Sequence, residues 1–248
     1  MDVKKDRLTV RNIAKMIDHS LLRPDMTIDE IRNGCRIAKE YDVASVCVKP
    51  TEVGICVEEL KGTDVMVTTV IGFPHGSSTT ETKVFEALNA IEAGCVELDM
   101  VLNIGRLVSR DFDFVEKDIK AVVDAAHSRG VIVKVILENA YLTDELKIIA
   151  CKICDRAGAD FVKTSTGYAK SGATIADLKL MRENTGSRVR VKAAGGVRTL
   201  DQALSVRAAG AVRFGATATK AILDEAAERE ARGTLFEAEE ARELTQGY

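Results

Sequence analysis

The chain has no tryptophan, and aromatic residues make up only 4% of its 248 positions. Val, Ile, Leu and Ala must therefore build most of the core, which is the palette of buried parallel strands covered by helices. No apolar run approaches the roughly 18 residues of a membrane-spanning helix. The opening MDVKKDRLTV has no apolar h-region and does not read as a signal peptide. No Lys/Arg block stands out, and 35 basic against 38 acidic residues leave a net charge of −3. That balance argues against nucleic acid as a partner. Six cysteines in a chain of this length are too few for a disulfide scaffold. With only three histidines and no second cysteine pair, the Cys151/Cys154 C-x-x-C lacks the ligands of a structural zinc site. Its setting, ELKIIACKICDRAG, has helical apolar spacing that puts both thiols on one packing face. What is present is a hydrophobic share of 46% and a charged share of 29%, ordinary for a folded domain and against disorder. The expectation is a cytoplasmic enzyme.

Strand-like apolar runs alternate with helical patterns from end to end. The strands fall at 16–20, 44–48, 65–71, 95–101, 131–137, 160–164, 189–193 and 211–215. Helical spacing fills 27–41, 80–93, 111–128, 143–157, 174–183 and 200–209. Thr27 with Glu30 three residues later reads as a capping box. Gly94, Gly130, Gly158 and Gly210 follow helical stretches as C-caps that lead into the next strand. Eight such alternations predict an α/β fold, a single-domain (β/α)8 barrel spanning 1–248, with 224–248 a helical or frayed C-terminal tail. A doubly wound open sheet is the competitor, but no G-x-G-x-x-G follows the first strand.

In such a barrel the chemistry sits at the C-terminal ends of the strands, and those ends are polar here. Lys163 in FVK and Lys192 in VRVK place amines on adjacent strands at similar heights. Each could be a strand-end lysine paired with a carboxylate. The functional alternative is a Schiff-base lysine beside a second cation. Two ammonium groups about 5 Å apart at an effective dielectric of about 20 repel by roughly 3 kcal/mol. With desolvation, that frees an amine for attack on a carbonyl. Asp99 on the fourth strand could move protons directly or through a water, and could equally be the lysines' ion-pair partner. Gly-rich turns after strands six to eight, T-S-T-G, A-G-G-V-R and G-A-T, stand where barrels often bind phosphate through backbone N–H groups. His75 belongs to a mouth loop, His19 to strand one, and His127 to an exposed helix face. No histidine or carboxylate grouping offers a metal site, so no metal is expected.

Taken together, IDHSLL, SVCVKP, VIGFPHG, VELDMVLNIG, KVILEN, FVKTSTGY, VKAAGGVR and RFGAT cover nearly the whole chain. On these motifs the sequence resembles the deoxyribose-phosphate aldolase family, class I aldolases on a TIM barrel. The resemblance implies reversible cleavage of 2-deoxy-D-ribose 5-phosphate to acetaldehyde and D-glyceraldehyde 3-phosphate, with no metal or organic cofactor. It matches Lys163 to the Schiff-base lysine, Lys192 to the lysine that lowers its pKa, and Asp99 to the proton-shuttling aspartate. Cys47 matches a thiol near the aldehyde, and Thr166, Gly167, Gly195, Gly196, Gly215 and Thr217 match substrate- and phosphate-binding positions. It departs from the pattern where the family commonly carries a serine pair: Thr217 keeps a hydroxyl and Ala218 does not. Some members end in a tyrosine that protonates the enamine, and Tyr248 could take that part. The expected partners are a small phosphorylated sugar and aldehydes, with neither nucleic acid nor membrane. The expected assembly is a homo-oligomer, dimer or tetramer. A class I aldolase for another phosphorylated sugar, or a barrel retained as a scaffold, are the rival readings.

One expectation rests on strand parity alone. If Lys192 points inward, Arg190 points inward one layer below it, as Glu97 does below Asp99 and Arg213 below Gly215. Lys134 shares that interior. A polar lower layer follows, in which Glu97 accepts from Arg213, Arg190 or both. The alternative is a bulge that turns Arg190 to solvent.

Overall fold

The computed structural model describes residues 6–244. Eight parallel strands close into a barrel: β1 (Ile17–Leu21), β2 (Ser45–Val48), β3 (Met66–Ile71), β4 (Glu97–Val101), β5 (Ile132–Ile136), β6 (Phe161–Lys163), β7 (Arg190–Ala193) and β8 (Ala211–Ala216). The helices are α1 (Val10–Ala14), α2 (Ile28–Glu40), α3 (Val53–Glu59), α4 (Thr80–Glu92), α5 (Ile104–Val108), α6 (Phe112–His127), α7 (Asp144–Ala157), α8 (Ile175–Glu183), α9 (Leu200–Ala208) and α10 (Thr219–Ala231). Each predicted strand lies within two residues of its place. The fold is therefore the predicted TIM barrel, and no helix among the described residues is long and apolar enough to cross a membrane.

Local chemistry explains where the helices begin and end. Thr27, Thr79, Thr143, Thr174 and Thr199 each accept a hydrogen bond from a backbone N–H of the first turn. Thr27 and Glu30 form the reciprocal capping box. Gly158 closes α7 at φ 83°, a left-handed conformation that side chains resist. Val46, Leu98, Val133, Val135, Val162 and Val191 are buried in the packing between strands and helices. Cys151 and Cys154 are both buried on α7, as the helical spacing predicts.

The register places the polar side chains in layers. Asp99 pairs across with Lys134, Lys163 with Lys192, Lys192 with Arg213, and Asp18 with both Ser45 and Gly215. Arg190 departs from the expected buried layer. It opens β7 at the barrel's rim, is exposed, and lays its guanidinium 4.0 Å from the centroid of the Phe161 ring. Parity put it beneath Lys192, but the strand starts there, so solvent rather than a carboxylate meets the charge. The pairing with β8 is also irregular between Val191 and Lys192.

After α10 the chain turns at Gly233 (φ 68°) and runs back beside the first described residues. Leu8 N–H donates to Leu235 O at 3.1 Å, and Arg7 bridges Phe236. Leu235 and Leu244 are buried. Of the expected helical or frayed tail, residues 224–231 continue α10, and the chain beyond them packs back, up to residue 244. Tyr248 lies outside the described residues.

Candidate active site

Seven ionisable side chains converge inside the barrel, all largely or wholly buried: Asp18, Glu97, Asp99, Lys134, Lys163, Lys192 and Arg213. Asp99 is the hub. Its Oδ1 accepts from Lys134 Nζ at 2.9 Å, and its Oδ2 accepts from both Lys163 Nζ at 2.8 Å and Lys192 Nζ at 2.7 Å. Lys192 also forms an ion pair with Asp18, and Lys134 donates to Glu97 at 2.6 Å. Below them Arg213 spans Asp18 (Nε, 2.9 Å) and Glu97 (3.2 and 3.1 Å), as the lower-layer expectation required of it. Ser45 and Thr68 hydroxyls donate to Asp18 and Glu97 at 2.8 Å, filling further acceptor sites.

Burial alone would raise the Asp99 carboxyl, but Lys134, Lys163 and Lys192 together overcome it and hold the group well below the usual carboxylate range. Asp18 and Glu97 are lowered for the same reason, by Arg213 and Lys192 in one case and chiefly Lys134 in the other, against burial. Lys134 and Lys192 are both raised: burial opposes their charge, and the facing carboxylates outweigh it. The geometry revises the picture of two ammonium groups that simply repel. Lys163 and Lys192 share one carboxylate oxygen, so the charge of Asp99 stands between them.

Above this cluster opens a cavity of about 390 Å³. Lys163, Lys192, Cys47, Thr166, Gly167, Gly195, Gly196, Gly215 and Thr217 all line it, so the sequence-predicted residues meet at one place. Asp99 lies beneath the floor, fully buried. Gly167, Gly195 and Gly196 have φ of 94°, 80° and 98°, the left-handed turns that bring backbone close to a ligand. Burial pushes the Cys47 thiol up to about 11. Thr166 has both its N–H and its hydroxyl directed at the Glu138 carboxylate, so its part is to hold the loop.

Several members of the site left little trace in the sequence. Glu138, buried at the end of β5, adopts a left-handed conformation (φ 55°), and burial raises its carboxyl. Tyr168 packs edge-on to Phe73 at 5.5 Å and donates its hydroxyl to Leu22 O at 2.8 Å, tying three mouth loops together. Arg198 lines the cavity beside the glycine pair. Only its place in A-G-G-V-R could have pointed to it. His75 stands exposed in the β3–α4 loop, and His127 is exposed as predicted, within 2.8 Å of Asp160.

A parallel barrel with a lysine amine, a second lysine and a shared carboxylate at its C-terminal mouth defines an enzyme class that works on carbonyl compounds through the amine. The chain belongs to the DeoC/LacD family of aldolases, whose family model matches residues 12–225. It is 55% identical over 215 residues to a deoxyribose-phosphate aldolase of Thermoanaerobacter sp., covering 86% of this chain and 96% of that one. A deoxyribose-phosphate aldolase of Caldanaerobacter subterraneus is 52% identical over 224 residues, covering 90% and 96%. Among solved structures, a putative deoxyribose-phosphate aldolase from Coccidioides immitis superposes with a TM-score of 0.85 at 43% identity, covering 89% and 87%. A tetrameric deoxyribose phosphate aldolase from Aeropyrum pernix does so at 0.82 and 32%, covering 89% and 93%.

Proposed function

We propose that this chain is a class I aldolase that reversibly cleaves 2-deoxy-D-ribose 5-phosphate, with Lys163 as the imine-forming amine. The observation that carries the reading is the single Asp99 oxygen shared by Lys163 and Lys192 at the floor of a glycine-walled cavity. Four basic and three acidic side chains occupy the cluster, so one positive charge lacks a counter-charge. Lys134 and Lys192 each contact two carboxylates, whereas Lys163 contacts one and shares it. Lys163 and Lys192 line the cavity and Lys134 does not, and Lys163 is the least buried of the three.

The Lys163 amine adds to the sugar aldehyde to give a carbinolamine. Its hydroxyl leaves as water, taking a proton from Lys192, and an iminium remains. A base then takes the proton of the C3 hydroxyl, the C2–C3 bond breaks, and its electron pair moves toward the iminium nitrogen to give an enamine. C3 departs as the aldehyde of glyceraldehyde 3-phosphate. Protonation at C2 and hydrolysis release acetaldehyde and the free amine. Asp99 alone is a weak base under three cations, so it acts with Lys192 and a water as one proton relay. Gly167, Gly195, Gly196, Gly215 and Thr217 take the phosphate through backbone N–H groups and one hydroxyl. Arg198 beside them has no carboxylate partner among the described residues and is free to add its charge. No electron sink beyond the iminium is needed.

The six cysteines are all unpaired, which fits a reducing cytoplasm. A homo-oligomer is the assembly we expect, since the Aeropyrum pernix relative is described as a tetramer. The test of function is borohydride reduction in the presence of acetaldehyde, followed by peptide mapping, with cleavage assays on deoxyribose phosphate and ketose phosphates. A reduced two-carbon adduct on Lys163 and preference for deoxyribose phosphate are expected. An adduct on Lys192 or Lys134 would overturn the assignment, and preference for a ketose phosphate would overturn the substrate.

A further inference from the structure

We propose that Arg213 and Glu97, one layer beneath the reacting amine, are positioning residues that set the pH range in which the site works. The inference rests on the reading of Lys163 as the nucleophile. Arg213 touches neither Lys163 nor Asp99. It holds Asp18, the second partner of Lys192, and Glu97, the second partner of Lys134. Lys134 and Lys192, the two lysines that share Asp99 with Lys163, are therefore each steadied by a carboxylate that Arg213 grips. Arg213 and Glu97 are both buried, where charges are screened far less than at the surface, so a change at either is felt at the amine.

The argument is one of charge balance. The cluster of four bases and three acids is neutral only when one base has given up its proton. Arg213 cannot do so. Lys134 and Lys192 are each held by two carboxylates, and those carboxylates raise both. Lys163 holds one carboxylate oxygen and shares it with Lys192, so of the four bases it is the least tied to a counter-charge. Deleting the guanidinium charge leaves three bases facing three acids, and Lys163 then gains by keeping its proton. Deleting the Glu97 charge leaves four bases facing two acids, and Lys163 then gains by losing it.

Other groups face Lys163 without carrying the balance. From β2, Cys47 is a neutral thiol throughout the working range, since burial pushes it up to about 11. From the end of β5, Glu138 is tied to Thr166 and is present in every variant.

The experiment compares Arg213→Met, Arg213→Lys, Glu97→Gln and the unaltered enzyme. Two pH profiles are read: kcat/KM for deoxyribose phosphate cleavage, and the yield of reduced acetaldehyde adduct on Lys163. The acidic limb should move up by about one pH unit in Arg213→Met and down by about one in Glu97→Gln. Arg213→Lys, which keeps the charge, should leave it in place. A purely structural layer would lower the rates without moving the limbs in opposite senses. Limbs that stay put, or that move the same way in both variants, overturn the proposal. Should Arg213→Met fail to fold, the direction of the Glu97→Gln shift decides. Adduct on Lys163 without deoxyribose phosphate cleavage would refute the substrate and still leave the adduct profile to judge this inference.

Discussion

Lys192 donates to Asp99 and pairs with Asp18, so its ammonium is a structural tie and, in the proposed mechanism, the proton donor beside the Lys163 amine. Lys192→Leu removes the donor and leaves Lys163 in place. Its kcat should fall by about 10²–10⁴-fold, the usual contribution of a positioned acid or base. The Lys163 peptide should still trap acetaldehyde on long incubation. Complete loss of trapping in a folded Lys192→Leu protein would show that the second lysine is required to form the imine at all. Cys47 offers an independent probe of the cavity. With its thiol pushed up to about 11, little thiolate exists at pH 8. Alkylation by iodoacetamide, followed by mass spectrometry of the Cys47 peptide, should be slow there and rise roughly tenfold per pH unit up to about pH 10. Rapid labelling at pH 7 would mean that the thiol is activated rather than suppressed.

At the level of strands and helices, most of the layout was legible from residue order because each element announces itself locally. Thr27 with Glu30, the glycines after helices and the apolar strand runs are local signals, and the barrel follows from their alternation. Lys163, Lys192 and Asp99 were legible because charges inside apolar strands are conspicuous. What strand alternation could not supply was depth. Arg190 has the parity of a buried residue and the position of a rim residue, and only the strand's start tells them apart. The ties of Glu138 to Thr166 and of Tyr168 to Leu22 join loops distant in sequence, so no local pattern records them. Another such tie is His19 on β1, whose Nδ1 lies 2.8 Å from Thr219 Oγ1 at the start of α10. Burial pushes His19 down to about 4. The unfolded chain binds a proton below about 6.5 and the folded one does not, so stability is full above that pH and drains as pH falls toward 4. Between pH 7 and pH 5 the loss should be roughly 2 kcal/mol. Urea unfolding of His19→Gln should show that much less pH dependence over the same interval, and an unchanged slope would refute the assignment.

Across the whole molecule, the proposed chemistry rests on an amine and its counter-charges. Among the described residues no three His, Cys, Asp or Glu side chains are placed to hold a metal ion. Treatment with EDTA should leave turnover unchanged, and inhibition that a divalent ion reverses would contradict this.

The buried charge cluster has a further consequence for selection. Ion pairs withdrawn from water usually return less stability than well-packed hydrocarbon of equal volume would. Breaking one by halves is the expensive change, and exchanging the whole set together is often neutral or favourable. A barrel carrying apolar residues in place of Asp18, Glu97, Asp99, Lys134, Lys192 and Arg213 would thus be expected to melt later and catalyse nothing. Any library of this enzyme sorted for heat resistance alone therefore has an open downhill route out of function. The ion pairs persist only where turnover is scored in every round.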